Sequence, residues 1–263
     1  MNISGKTALI TGASMGIGAV FARRLAAEGA RLVLAARSQD KLELMAQELR
    51  EGGTEVTVLA ADLSVPDAAE RLHAATDALG IEVDILVNNA GFGSHGQVVN
   101  ADADRLAEQI QLNCTTLVGT TTRYLPRMVE RGFGAVINIA STAAFQPVPH
   151  MAVYGATKAF VLSFTQALWA ETQGTGVKAL AVCPGATDTP FFDTAGDAAA
   201  VGSLRTPEQV VDTALAALRG NKPSVVDGWL NSVVARVAVK LLPEKLVIAV
   251  AERSVRPARQ LVG

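Results

Sequence analysis

Cysteine is scarce in this 263-residue chain, with only Cys114 and Cys183. Two thiols cannot build a zinc cluster or a disulfide framework, so both read as buried free thiols, no metal site is expected, and a reducing cytoplasm is the natural compartment. An excess of one charge is also lacking, because 23 Lys and Arg stand against 25 Asp and Glu for a net charge of −2. No whole-chain field draws in nucleic acid, and that class of partner is excluded. No stretch reaches the ~18 apolar residues of a membrane span. The nearest candidate, after Trp229, is broken by Arg236, Lys240 and Pro243. The opening MNISGKTALITGAS has no basic segment leading into a long apolar one, and reads as a first strand rather than a signal peptide.

What the chain does have is a hydrophobic fraction of 49% with 18% charged residues, which suits a doubly covered sheet. Short apolar runs at 7–10, 32–35, 56–60, 85–87, 135–139, 178–182 and 224–226 read as seven strands. Amphipathic stretches at 16–28, 41–50, 66–79, 105–131, 153–173 and 207–218 read as the helices between them. That alternation predicts an α/β, doubly wound, Rossmann-type parallel sheet with helices on both faces. Glycines after the first two helices suit C′ positions, and Pro66 and Pro207 suit first helical turns. No repeat or linker divides the chain, so residues 1–263 form one domain. Residues 188–205 are expected to be a mobile lid, and residues 229–263 a helical extension.

The first strand runs into Gly12-Ala13-Ser14-Met15-Gly16-Ile17-Gly18. Glycines there permit a tight turn and close backbone approach, and the following helix N-terminus offers free N–H groups to a pyrophosphate. The spacing is G-x-x-x-G-x-G rather than the commoner G-x-G-x-x-G. About twenty residues on, where an NAD enzyme places an acid to grip the ribose hydroxyls, the second strand instead leads into Arg37. An arginine suits a 2′-phosphate, which favours NADP(H) over NAD(H).

Tyr154 and Lys158 stand four apart, on one face of a helix, and Ser141 comes from the end of the preceding strand. A phenol is a weak base near neutrality, but a neighbouring ammonium and an oxidised nicotinamide favour the phenolate, so Tyr154 becomes usable as a proton carrier.

With these residues on the page, the chain resembles the short-chain dehydrogenase/reductase family, in its compact single-domain branch, from about Lys6 to Gly185. The resemblance rests on Thr11 to Gly18, Asp62-Leu63, Asn88-Asn89-Ala90-Gly91, Asn113, Ser141, Tyr154-x-x-x-Lys158 and Pro184-Gly185. It implies hydride transfer between the nicotinamide of NADP(H) and a carbonyl or secondary alcohol. Asn113, Ser141, Tyr154 and Lys158 would be catalytic, with Asn113 supporting a water that relays protons to the lysine. Gly12, Ser14, Met15, Gly16, Ile17, Gly18, Arg37, Asp62, Leu63, Asn89, Ala90, Gly91, Tyr154, Lys158, Pro184, Gly185, Thr187 and Thr189 would contact the cofactor. The branch often has a basic residue where this chain has Met15, which places more of the phosphate contact on Arg37.

The same resemblance implies Ser141, Phe145, His150, Tyr154, Phe191 and Phe192 at the substrate, with Phe92, His95, Thr142, Gln146, Pro147 and Met151 close by. That set is mostly apolar and lacks an arginine cluster, which predicts a bulky hydrophobic ketone, aldehyde or alcohol. In the tail, Ser232, Arg236 and Lys240 form a polar stripe, and the residues from Arg236 to Arg259 carry six basic side chains against two acids. The tail is expected to pack on its own domain or on a twin subunit; the alternative is docking on an anionic membrane surface. Related proteins pair through the long helices read at 105–131 and 153–173, so a homodimer or homotetramer is expected. Other readings are a catalytically idle NADP(H)-binding sensor or scaffold, an NAD-dependent alcohol dehydrogenase, or a dehydratase or epimerase on the same scaffold.

Overall fold

In the computed structural model, which describes residues 1–195 and 204–255, seven strands form one parallel sheet in the order β3-β2-β1-β4-β5-β6-β7. The strands are β1 Thr7–Thr11, β2 Arg31–Ala36, β3 Val56–Ala60, β4 Ile85–Asn88, β5 Gly134–Ile139, β6 Val177–Cys183 and β7 Ser224–Val226. Each apolar run read from the sequence is one of them. Period-two alternation sorts their side chains between two cores. Ile10, Leu32, Leu34 and Ile137 face the helices α1 (Gly16–Ala27), α2 (Gln39–Glu51) and α8 (Pro207–Arg219). Leu9, Val33, Leu86 and Val136 face α3 (Ala68–Ala78), α5 (Leu117–Glu130) and α6 (Ala152–Glu171). Full burial of each such aliphatic side chain is worth about 1.5–3 kcal/mol.

The helix ends follow from local chemistry. Gly29 and Gly53 adopt φ of 84° and 85°, and the residues after them return hydrogen bonds to the last turns of α1 and α2. Thr206 and Gln209 make a reciprocal capping box at α8, with Pro207 in its first turn. Pro66 does not open a helix: α3 begins at Ala68, after Asp67 takes the left-handed region at φ 60°. The single long helix expected over 105–131 is divided into α4 (Ala103–Ile110), a π-helical turn (Gln111–Thr116) and α5.

Strand order reverses where β2 and β4 flank β1, and the crevice outside the carboxyl ends of β1 and β4 is where such sheets hold ligands. Beyond β6 lies α7 (Phe191–Ala195), and beyond β7 come α9 (Trp229–Val233), a π turn (Val234–Ala238), α10 (Val239–Leu241) and α11 (Glu244–Val255). The expected lid at 188–205 includes 196–203, and the expected extension includes 256–263; both segments lie outside the described residues. Cys183 is fully buried as expected of a core thiol, whereas Cys114 is only partly so.

Candidate active site

A cavity of about 580 Å³ opens at the carboxyl end of the sheet, and its wall runs from the β1–α1 turn to the C-terminal helices. At one end, Gly12 holds φ at 64°, and a Cβ there would stand 2.8 Å from Asn89 Nδ2 and 2.9 Å from Ala90 Cα. No side chain fits. Gly18 sits behind that turn, where any Cβ would collide with the Gly12 carbonyl, so it packs the turn rather than lining the cavity. Met15, the residue before α1, provides no side-chain hydrogen bond to the helix, which leaves its first N–H groups facing the cavity. Asn89 fastens the arrangement: its Nδ2 donates to the carbonyls of Thr11 (3.0 Å) and Gly12 (3.1 Å).

Arg37 is exposed at the rim, with no hydrogen-bond or ion-pair partner among the described residues. Asp62 and Leu63 line the same end. Burial works against ionisation of Asp62, but donation from the Ser64 hydroxyl (2.7 Å) and amide (2.9 Å), with Arg37 and Arg71 nearby, holds its carboxyl below the usual range. A glycine cradle, an uncapped helix N-terminus and a free guanidinium make a donor set that fits a dinucleotide carrying an extra phosphate.

At the other end, Ser141, just past β5, stands near enough to the Tyr154 phenol to favour its ionisation, and its Oγ accepts from Ala143 N at 3.1 Å. Burial pushes the Tyr154 hydroxyl up to about 12, with Ser141 opposing. Lys158, one turn along α6, donates from Nζ to the Ile139 carbonyl at 2.7 Å and lies 5.7 Å from the Tyr154 ring centroid. Burial lowers the Lys158 ammonium to about 8. The chain has two tyrosines. The other, Tyr124, is buried against Thr76 at 3.0 Å between α3 and α5, so Tyr154 alone reaches the cavity.

Asn113 lies in the π turn, behind the cavity wall. Its Nδ2 donates to Phe92 O (3.0 Å) and Thr157 Oγ1 (3.1 Å), and its Oδ1 accepts from Phe92 N at 3.2 Å. These contacts tie the segment after β4 to α6 one residue from Lys158. The extra residue of a π turn is what rotates Asn113 inward, and a 3.6-residue period read from sequence does not reveal it.

The remaining expected residues divide. Ser14, Gly16, Ile17, Ala90, Gly91, Pro184, Gly185, Thr187 and Thr189 line the cavity with Phe191 and Phe192. Phe191 packs on Tyr154 at 5.4 Å between ring centroids. Phe92, Thr142, Gln146 and Met151 also line it. Phe145 does not: it packs with Leu117, Ala140 and Val161 beneath the wall. His150 also stands outside, at φ 63°, stacked on His95 at 5.7 Å, and Pro147 is likewise not in the lining.

Sequence reasoning missed the contribution of the C-terminal extension. Asn231, Val234, Ala235, Val250, Ala251 and Val255 all line the cavity. α11 is held across it by a 2.6 Å contact between His95 Nε2 and the Val255 carbonyl. The polar stripe expected there is only partly a surface feature, since Arg236 donates to the Ser224 carbonyl (3.0 Å) and hydroxyl (3.1 Å). Also unanticipated are the ties among residues flanking the segment 188–204. Arg205 pairs with Thr187 as a bridge and with the fully buried Asp227 through two bonds of 2.7 and 2.9 Å, and Thr213 donates to the same carboxylate.

A family described as short chain dehydrogenase matches residues 6–200. The glycine betaine reductase ATRR of Emericella nidulans is 37% identical over 226 residues, 82% of this chain but only 18% of that protein. A structure described by its stereoselectivity as a 7beta-hydroxysteroid dehydrogenase superposes with a TM-score of 0.86 at 31% identity, covering 95% of this chain and 99% of that one. A short-chain dehydrogenase from Sphingobium yanoikuyae in complex with NADPH gives a TM-score of 0.81 at 33% identity, with 98% of each chain covered.

Proposed function

The chain belongs to the short-chain dehydrogenase/reductase family and is an oxidoreductase of that family, and on this premise we propose that it is NADP(H)-dependent and interconverts a bulky hydrophobic ketone or aldehyde with its alcohol. The observation that carries this reading is the placement of Ser141, Tyr154 and Lys158 at one end of a cavity whose other end is the glycine turn with Arg37. Support for the cofactor comes from the free Arg37 guanidinium and from the NADPH-bound relative. Support for the substrate class comes from the apolar wall that Phe191, Phe192 and the C-terminal helices supply, and from the likeness to a hydroxysteroid dehydrogenase.

When bound, the nicotinamide supplies or accepts the hydride. The chain's own residues do the rest. Ser141 Oγ and Tyr154 Oη hydrogen-bond the carbonyl oxygen and hold it in one orientation, which converts much of the entropic barrier into binding. A phenol held near 12 keeps its proton at neutral pH, so Tyr154 is loaded as a donor, which suits the reductive direction. As charge grows on the substrate oxygen, that proton moves to it from Oη. Lys158, charged below about 8, stabilises the phenolate left as the proton departs, and its Nζ would hold the ribose of a bound dinucleotide. Asn113 fixes the Phe92 backbone and the Thr157 hydroxyl beside Lys158. Assembly through α4, α5 and α6 as a homodimer or homotetramer, in the cytoplasm, belongs to the same reading; on α6, Phe160 is exposed and stacked on Phe164.

The test is a screen of steroidal, aromatic and long-chain carbonyls against small polar ones, following nicotinamide absorbance with product. Tyr154→Phe is expected to bind NADPH normally and to lose nearly all turnover. Retained activity, or a preference for small polar carbonyls, overturns the assignment.

A further inference from the structure

We propose that the C-terminal helices dock the protein on an anionic lipid surface, with the mouth of the active-site cavity facing that surface. Large apolar side chains stand exposed along the tail at helical spacing. Trp229, Val233, Val237 and Leu241, each four residues from the last, are 74%, 49%, 49% and 78% exposed. Leu242, Leu246 and Val250 repeat the spacing at 45%, 47% and 52%, alongside the buried row of Val247, Ala251 and Val255 on α11. An apolar face this long is uncommon on a monomeric surface and marks a site of contact. Val234 and Val250 belong to both the exposed face and the cavity wall, so the patch runs continuously into the mouth.

Charge decides what covers it. From Arg236 to Arg259 six basic residues stand against Glu244 and Glu252, a local +4 in a chain whose total is −2. Lys245 and Arg253 are exposed beside the apolar row. A second copy meeting this face across a two-fold axis would set the exposed Lys245 and Arg253 of one chain against the same cations of the other. An anionic bilayer takes both features together, burying the apolar row at the acyl boundary and attracting the cations to its headgroups. Among the described residues no helix is long and apolar enough to cross a membrane, so the contact is peripheral.

The experiment is co-sedimentation of the full chain with phosphatidylcholine vesicles containing phosphatidylserine, and with phosphatidylcholine alone. No substrate or nicotinamide is present, so the outcome is independent of the reaction assigned above. Partitioning is expected to be about tenfold stronger on the anionic vesicles and to fall with salt. Trp229 should report the contact by a blue shift in emission, absent in Trp229→Phe. Leu241→Asp and Leu246→Asp, at exposed positions outside the cavity, should each weaken partitioning about tenfold while leaving turnover of a soluble substrate unchanged. Failure to bind either vesicle, or equal binding to both, overturns the proposal. So does an unshifted partition of Leu241→Asp accompanied by dissociation of a dimer in the ultracentrifuge, which would assign the face to a second copy.

Discussion

Lys158 should make the cofactor-free protein less stable than it would be with an apolar side chain in the same place. Its ammonium is buried, with 6% relative exposure, and is lowered from 10.5 to about 8 by desolvation. At about 1.4 kcal/mol per pH unit, that fall corresponds to roughly 3 kcal/mol of destabilisation while the amine is charged in both states. Lys158→Met keeps the volume and removes the charge, at the cost of about 1 kcal/mol for the lost hydrogen bond to Ile139 O. The variant should therefore gain about 2 kcal/mol at pH 7, or roughly 4–8 °C in Tm. The pH dependence follows from which state binds more protons. Between about 8 and 10.5 the unfolded chain holds a proton at Lys158 that the folded chain has lost, so wild-type stability rises through that window. The advantage of Lys158→Met should be full below pH 8 and fade by about 10.5. Urea melts of both proteins without nicotinamide, from pH 7 to pH 10.5, measure it. A variant that is less stable at pH 7, or whose advantage does not change with pH, refutes the reasoning.

Arg37→Ala should weaken NADPH binding about tenfold or more while leaving NADH binding within a factor of two, read by energy transfer from protein to nicotinamide; equal losses would remove Arg37 from the phosphate site. Arg205→Met strands the buried Asp227 with Thr213 as its remaining side-chain donor, and should cost about 3 kcal/mol in a urea melt and raise KM more than it lowers kcat; an unchanged melt would mean the pair does not hold Arg205 against Thr187. Gly185→Ala places a Cβ 2.5 Å from Asn231 Nδ2 and should destabilise by about 1–3 kcal/mol, with Asn231→Ala restoring much of the loss in the double variant; additive losses would show that the two do not touch.

Much of the molecule was legible in its residues because the signals are local. Alternating apolar runs specify strands such as Leu32–Ala35 whatever surrounds them, and glycines at Gly12 and Gly16 declare a turn with positive φ that few other residues adopt. Four-residue spacing puts Tyr154 and Lys158 on one face before any coordinates exist. Tertiary structure decided the rest, because it depends on contacts between residues far apart in the chain. The π turn that rotates Asn113 inward is not encoded in a 3.6-residue period. Phe145 and His150 look like Phe191 in sequence, yet only packing sends Phe145 to the core beneath the wall and His150 to His95, while Phe191 covers Tyr154. The tail reads as an amphipathic helix, and its sequence does not say which surface its apolar residues meet. The fold answers by laying Val255 against Met151 and Val148 and leaving Trp229 and Leu241 outside, since the cavity edge supplies room for one row of side chains and not for the other.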